Sequence, residues 1–289
     1  MSVKKAVIPV AGFATRFLPA CKSVPKCMLS IVDKPIIQYL VNEAEEAGIE
    51  DILLIVGRKK EIVEDYFSED KELIDFLKER GKESFIPQVT NLSGKAKIHF
   101  IEQDGGAKGL GHAIYMAKDF VGNEPFAIMY GDVIMQGEKP CLKEIIEQYE
   151  KLGASVIGVE QVEWKDVPKY GNVSGEAIND RLYKVEKMQE KPKVEETKSN
   201  LAISDRHVLL PEIFDILAET KPGKGGEIQV TDAYNSMVNT KEGVYAYRYE
   251  ATRFDSGDKL GFVKASIDET LRRPELREDL IKFIKSLDI

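Results

Sequence analysis

Hydrophobic positions along this chain switch between two periods. "KAVIPV" (5–10), "DILLIV" (51–56), "AKIHFIEQ" (96–103), "PFAIMYGD" (125–132) and "ASVIGVEQV" (154–162) are short apolar runs of strand length. Between them "PIIQYLVNEAEEAG" (35–48) repeats its apolar residues at helical spacing, with proline at the start and glycine at the end. "KKEIVEDYFSED", "KELIDFLKERG", "GHAIYMAKDF" and a segment at about 141–152 read as further helices. Strand and helix alternating at this spacing predict an α/β fold with a doubly wound, mostly parallel sheet. Such sheets bind ligands at the carboxyl ends of their strands.

The second half is less regular. "YGNVSGEAINDRLYKVEKMQEKP" (170–192) predicts turns and antiparallel strands, and "KVEETKS" (193–199) an exposed loop. "RYEATRFDSGDKLGFVKAS" is rich in turn residues, and the final "DETLRRPELREDLIKFIKSLDI" predicts an amphipathic helix or a pair broken near Pro274. No internal repeat or low-complexity tract interrupts the chain.

Composition narrows the function classes. A chain of 289 residues, 43% hydrophobic and 31% charged, is long enough for a substantial core. A net charge of −8 argues against general affinity for nucleic acid or anionic lipid. No apolar run reaches the roughly 18–20 residues of a membrane span. The opening "MSVKKAVIPVAGFA" mimics a short signal peptide, but Pro9, Gly12 and Arg16 interrupt it, and a first strand is the expectation. Cys21, Cys27 and Cys141 form no CxxC pair; their odd number fits a reducing cytoplasm.

The candidate chemistry begins at "AGFATRFLPACKSVPKCML" (11–29), immediately after the first strand. Its glycine spacing excludes a dinucleotide fingerprint, and no Walker A pattern occurs in the chain. What remains is a small-residue turn with Arg16, Lys22 and Lys26, able to bring backbone N–H groups and positive charge to a phosphate chain. Taken alone, a bland loop with solvated bases fits equally well.

An ordered series of motifs decides between them. "TRFLPA", "PK", "IVDKPIIQY", "AKGLGHA", "GDVI", "YG", "EKP", "SNLAI", "GGEIQ" with "TDA", and "FDSGDKLGF" follow one another from near residue 4 to about 280. In this the chain resembles the bacterial UTP–glucose-1-phosphate uridylyltransferases (UDP-glucose pyrophosphorylases), within the sugar-1-phosphate nucleotidylyltransferase family. The resemblance implies a Rossmann-like nucleotidyltransferase sheet in a single domain. Its nucleotide-binding part would run to about residue 135, a smaller antiparallel sugar-binding part over about 136–262, and a C-terminal helical segment over about 263–289. It also implies UTP and glucose 1-phosphate as substrates, Mg²⁺ as cofactor and a homo-oligomer, dimer or tetramer. The two alternatives are the same chemistry with another nucleotide or sugar 1-phosphate, and a catalytically silent paralogue that binds nucleotide sugar.

By the same resemblance Arg16 and Lys26 contact the triphosphate, Arg16 as a fork and Lys26 as a point charge. Asp132 and Asp255 hold Mg²⁺, a hard cation that takes one or two carboxylates plus phosphate oxygens. Glu190 and Lys191 grip the sugar hydroxyls and the sugar phosphate, with Gly171 allowing close backbone approach. Ala11, Gly12, Cys27, Gln103 and Gly109 line the nucleotide. Glu227 is expected either near the sugar or in packing. Adjacent strand residues normally face opposite ways, so Glu190 and Lys191 share a site only if the chain turns there.

The departures from the family pattern concentrate on the base. Ala14 stands where the family has a second glycine, a change costing on the order of 1 kcal/mol if that position needs φ > 0. Cys27 replaces a glutamate, and Cys21 a threonine; both cysteines are expected to be small buried residues. Gln103 lies one residue too far from Gly109, so either the loop carries an insertion or Asp104 takes the glutamine's place. "SDRHVL" (204–209) stands where relatives read G-R-Y.

Overall fold

The computed structural model describes residues 2–103, 109–223 and 226–288. Asp104 lies outside them, so the choice between it and Gln103 rests on Gln103 alone. Strand β1 (Lys5–Pro9) leads through a loop of 3-10 turns to a small hairpin, β2 (Ser30–Ile31) and β3 (Lys34–Pro35), and to helix α1 (Ile36–Glu46). Then come β4 (Asp51–Val56), α2 (Lys60–Phe67), α3 (Lys71–Glu79) and β5 (Lys97–Glu102). Two short helices, α4 (Leu110–Tyr115) and α5 (Lys118–Val121), precede β6 (Phe126–Met129) and β7 (Val133–Gln136). The single helix expected at "GHAIYMAKDF" is thus divided, because Ala117 N–H bonds back to the Ile114 carbonyl and tightens the turn.

The second half contains α6 (Cys141–Leu152), β8 (Ser155–Gln161), β9 (Gly171–Ala177), β10 (Leu182–Glu190) and β11 (Leu201–Leu209). It ends with α7 (Ile213–Glu219), α8 (Val230–Met237), β12 (Val244–Arg248), β13 (Thr252–Asp255), α9 (Lys259–Arg272) and α10 (Pro274–Ser286). Gly153 ends α6 in a left-handed conformation, φ 65°. The Asp258 carboxylate caps α9 by accepting from Leu260 and Gly261 N–H, each at 3.0 Å. Helix therefore starts before residue 263. Pro274 sits at the start of α10, where its missing N–H costs nothing.

One mixed sheet organises the molecule, in the order β5-β4-β1-β6-β11-β8-β12-β10-β9. β5, β4, β1 and β6 run parallel, as do β8 and β12. β11 is antiparallel to both β6 and β8 and joins the two groups. β10 is antiparallel to β12 and β9, as the pattern over 170–192 predicts. β9 also pairs with the start of β11, so this end of the sheet curls back on itself. Separately, β7 and β13 form a two-stranded antiparallel ribbon.

Side-chain alternation explains the continuous apolar runs. Ala6, Ile8, Ile52 and Leu54 pack on one face with α1 residues Ile36, Ile37 and Leu40 and α6 residues Leu142 and Ile145. Val7, Leu53 and Ile55 pack on the other with Ile114, Phe214 and Tyr234. Both faces are covered, so neither set of alternate positions remains polar.

Candidate active site

The carboxyl ends of β1, β4 and β6 crowd together, and small residues make this possible. A Cβ on Gly57 would lie 2.7 Å from the Ala11 carbonyl oxygen, and one on Gly131 would lie 2.4 Å from Val10 Cγ1. A cavity of about 520 Å³ opens beside them, lined among others by Ala11, Gly12, Lys26, Cys27, Gln103 and Asp132. Gly109 also borders it, at φ 87°, with Glu227 Cβ only 2.8 Å from where its own Cβ would stand. Glu227 and Ile228 thus pack on the "GLGHA" turn, and Gly111 N–H donates to the Ile228 carbonyl at 3.1 Å.

The loop after β1 contains the strained position anticipated from its sequence. Ala14 is left-handed, φ 50° and ψ 42°, and its carbonyl accepts from Phe17 N–H at 2.9 Å. Both loop cysteines are buried, as their size predicts, and Cys27 is 2% exposed. Burial pushes the Cys27 thiol up to about 12 and raises Cys21 as well, so neither is an activated nucleophile. Gln103 turns its amide toward His112, with 3.1 Å between Nε2 and Nδ1.

Four of the predicted residues meet at one edge of the cavity. Asp132, between β6 and β7, accepts a hydrogen bond from Lys26 Nζ at 2.5 Å. Asp255 ends β13, opposite Val133 in the ribbon register, which carries it next to Asp132. The point where a Cβ on Gly257 would stand lies 2.6 Å from Asp132 Oδ2, 2.8 Å from Asp255 Oδ1 and 3.0 Å from an Arg16 guanidinium nitrogen. Gly257 N–H donates to Asp255 Oδ1 at 2.8 Å and fixes that carboxylate. Two carboxylates converging beside a cavity are a donor set that suits Mg²⁺, which fills its remaining positions with phosphate oxygens and water.

A second group forms between β9, β10 and α8. Gly171 and Glu190 are directly paired across β9 and β10. Glu190 Oε2 accepts from the Thr231 hydroxyl at 2.7 Å, and Lys191 Nζ stands 3.1 Å from Glu190 Oε1. Lys191 adopts φ 45°, which ends the strand and lets both side chains reach one place. Beneath them Tyr130 Oη is 3.3 Å from His207 Nε2 and 3.5 Å from Tyr234 Oη. Burial depresses His207 to about 3, so its imidazole is neutral, and its Nδ1 accepts from Gly158 N–H at 3.3 Å.

The motifs "TDA" and "SDRHVL" contain Thr231 and Arg206, but neither these two nor Arg253 is among the residues the sequence marks for the site. Arg206 is fully buried and pairs with Glu43 of α1, with 2.7 Å between Nη2 and Oε2. The run of polar residues Ser204–His207 between the apolar ends of one strand was the available signal; the partner of Arg206, 163 positions away, was not.

Residues 5–270 match the nucleotidyl transferase family. The UTP–glucose-1-phosphate uridylyltransferase of Staphylococcus epidermidis is 49% identical over 287 residues, 99% of each chain. UTP–glucose-1-phosphate uridylyltransferase 1 of Staphylococcus saprophyticus is 46% identical over 288 residues, covering 100% of each. Among solved structures, a UTP-bound UGPase from Acinetobacter baumannii has a TM-score of 0.91 at 36% identity, over 99% of this chain and 100% of that one. A UDP-glucose pyrophosphorylase complexed with UDP-glucose has a TM-score of 0.83 at 39% identity, over 94% and 100%. With identity this high over the whole length and the family model matching residues 5–270, the chain belongs to the nucleotidyl transferase family, among the UTP–glucose-1-phosphate uridylyltransferases.

Proposed function

We propose that this chain transfers the uridylyl group of UTP to glucose 1-phosphate, giving UDP-glucose and pyrophosphate. The meeting of Arg16, Lys26, Asp132 and Asp255 beside a cavity at the strand ends carries the reading. Relatives named for this activity support it along the full chain.

A phosphate oxygen of glucose 1-phosphate attacks the α-phosphorus, and the bond to the β-phosphate oxygen breaks. The incoming phosphate is already a nucleophile, so the protein has to align two anions and offset their charge. Asp132 and Asp255 would hold Mg²⁺, which supplies charge neutralisation at the phosphates when bound. Lys26, held at 2.5 Å from Asp132, is poised to exchange that carboxylate for a phosphate oxygen, and Arg16 forks onto the same chain. Glu190, oriented by Thr231, accepts from sugar hydroxyls; Lys191 pairs with the sugar phosphate, and Gly171 leaves the ring room. Ala11, Gly12 and Gly109 border the nucleotide, with Cys27 and Gln103 at the base.

The three parts divided at about 135 and 262 are regions of one domain in this reading, because one sheet contains strands from both larger parts. The reading also places the enzyme in the cytoplasm as a homo-oligomer. All three cysteines are free and buried, and among the described residues no helix is long and apolar enough to cross a membrane.

The test is pyrophosphate release from a panel of nucleoside triphosphates and sugar 1-phosphates, with and without Mg²⁺. The expected preference is UTP with glucose 1-phosphate, dependent on the metal. A preference for another pair would leave the chemistry and overturn the substrate assignment. No release with any pair would favour the silent nucleotide-sugar binder. Asp132→Ala should abolish turnover; full activity in that variant removes Asp132 from the site.

A further inference from the structure

Asp255 ends one strand of the β7–β13 ribbon and Asp132 immediately precedes the other, and that ribbon is gripped from one place. β11 loses register with β8 between Ile203 and His207, and the extra residues form a bulge at Asp205 and Arg206. Gly158 opposite leaves space for it: a Cβ there would lie 2.4 Å from the Arg206 carbonyl oxygen. Each bulge residue holds a different strand. The Asp205 carbonyl accepts from Tyr130 N–H at 3.0 Å, and Arg206 Nη2 donates to the Val133 carbonyl at 2.9 Å, so the backbone is pinned on both sides of Asp132. The Asp205 carboxylate takes two bonds from the Arg253 guanidinium, which stands on β13 two residues before Asp255. Arg253 also lies 3.7 Å from Glu160 and 3.9 Å from Asp255 Oδ2, and is mostly buried. Arg206 itself is held by Glu43, which anchors the bulge to α1.

We propose that the Asp205–Arg206 bulge, acting through Arg253, is the positioning device that sets the separation of Asp132 and Asp255 and so the affinity of the site for a divalent cation. This rests on the metal-binding reading of those two carboxylates. Arg253 is a positioning residue here. Its guanidinium is occupied by three carboxylates of the protein, and its effect on substrates passes through Asp255.

The test measures Mn²⁺ binding by electron paramagnetic resonance with UTP present and no sugar phosphate, so no turnover occurs. The unmodified protein is compared with Arg253→Gln, Arg253→Lys, the milder Asp205→Asn, and Asp255→Asn. Losing a group that orients a ligand typically costs about 10–100-fold in metal affinity. Arg253→Gln should weaken Mn²⁺ binding about tenfold, with Arg253→Lys and Asp205→Asn in between. In steady-state assays Arg253→Gln should lower kcat while the KM for glucose 1-phosphate stays within twofold. Added to Asp255→Asn, Arg253→Gln should cause no further loss of Mn²⁺ affinity. Unchanged Mn²⁺ affinity in folded Arg253→Gln and Asp205→Asn, or fully additive losses, would overturn the inference alone. No Mn²⁺ binding by the unmodified protein would overturn the metal reading, and the inference with it.

Discussion

Gly257→Ala offers a direct way to disturb the convergence of charges without touching a charged residue. The added methyl would stand 2.6 Å from Asp132 Oδ2 and 2.8 Å from Asp255 Oδ1, where ordinary contact begins at 3.4 Å. Each carboxylate must therefore retreat by about 0.6–0.8 Å, and the Arg16 guanidinium, 3.0 Å away, must yield too. Misplacing reacting groups by about 1 Å costs on the order of 100-fold in rate. We expect kcat to fall about 10–100-fold, or about 1.4–2.7 kcal/mol of transition-state stabilisation. Because the displaced atoms are ends of flexible side chains, thermal unfolding should shift by no more than about 2 °C, the equivalent of roughly 0.5–1 kcal/mol in a chain of this size. Pyrophosphate release under saturating substrates, read beside a thermal melt, separates the two effects. A kcat within twofold of the parent would show that Asp132 and Asp255 need not converge at this point.

Three further outcomes test other parts of the structure. Ala14→Gly relieves a left-handed alanine at about 1–2 kcal/mol but loosens the unfolded chain, for a net gain of about 0.5–1 kcal/mol; a lower urea midpoint would contradict the loop conformation. His207 falls from 6.5 to about 3 on folding, so only the unfolded chain takes up its proton as pH drops below 6.5. Its contribution is complete above that pH and shrinks by about 2 kcal/mol at pH 5, so His207→Phe should flatten the urea-measured stability between pH 7 and pH 5 by that amount. Identical pH dependence in parent and variant would place His207 in contact with solvent. Glu43→Ala strands the fully buried Arg206 and should cost about 3–5 kcal/mol; a loss below 1 kcal/mol would mean the pair is not buried as described.

The parts of this molecule legible in its sequence are those written in local periodicity. The strands at 51–56 and 155–161 and the helices ending at Gly153 and starting at Pro274 follow from apolar spacing and from glycine and proline placement. The candidate residues Arg16, Lys26, Asp132 and Asp255 come from the family motifs, since a lone Asp after a glycine is by itself usually a turn or helix-cap residue. What brings them together was not legible. It depends on register between distant strands: β13 pairing with β7, and a bulge in β11 that no alternation pattern marks. Lys191 shows the intermediate case. Its strand neighbour made a shared site with Glu190 conditional on a turn, and the φ of 45° is that turn.

The curling of β9 back onto β11 has a consequence beyond placing Gly171. An open sheet exposes two rows of unpaired backbone groups, and each invites strand addition by another chain. Here part of one end, at Asn172 and Val173 of β9, is paired by the molecule itself, while β5 forms the opposite border of the sheet. That border presents exposed Lys97, His99 and Glu102, with His99 paired to Asp51 at 2.8 Å. Charged side chains standing along a border discourage intermolecular pairing, so the fold meets the aggregation hazard of its sheet by partial self-pairing at one end and by charge at the other.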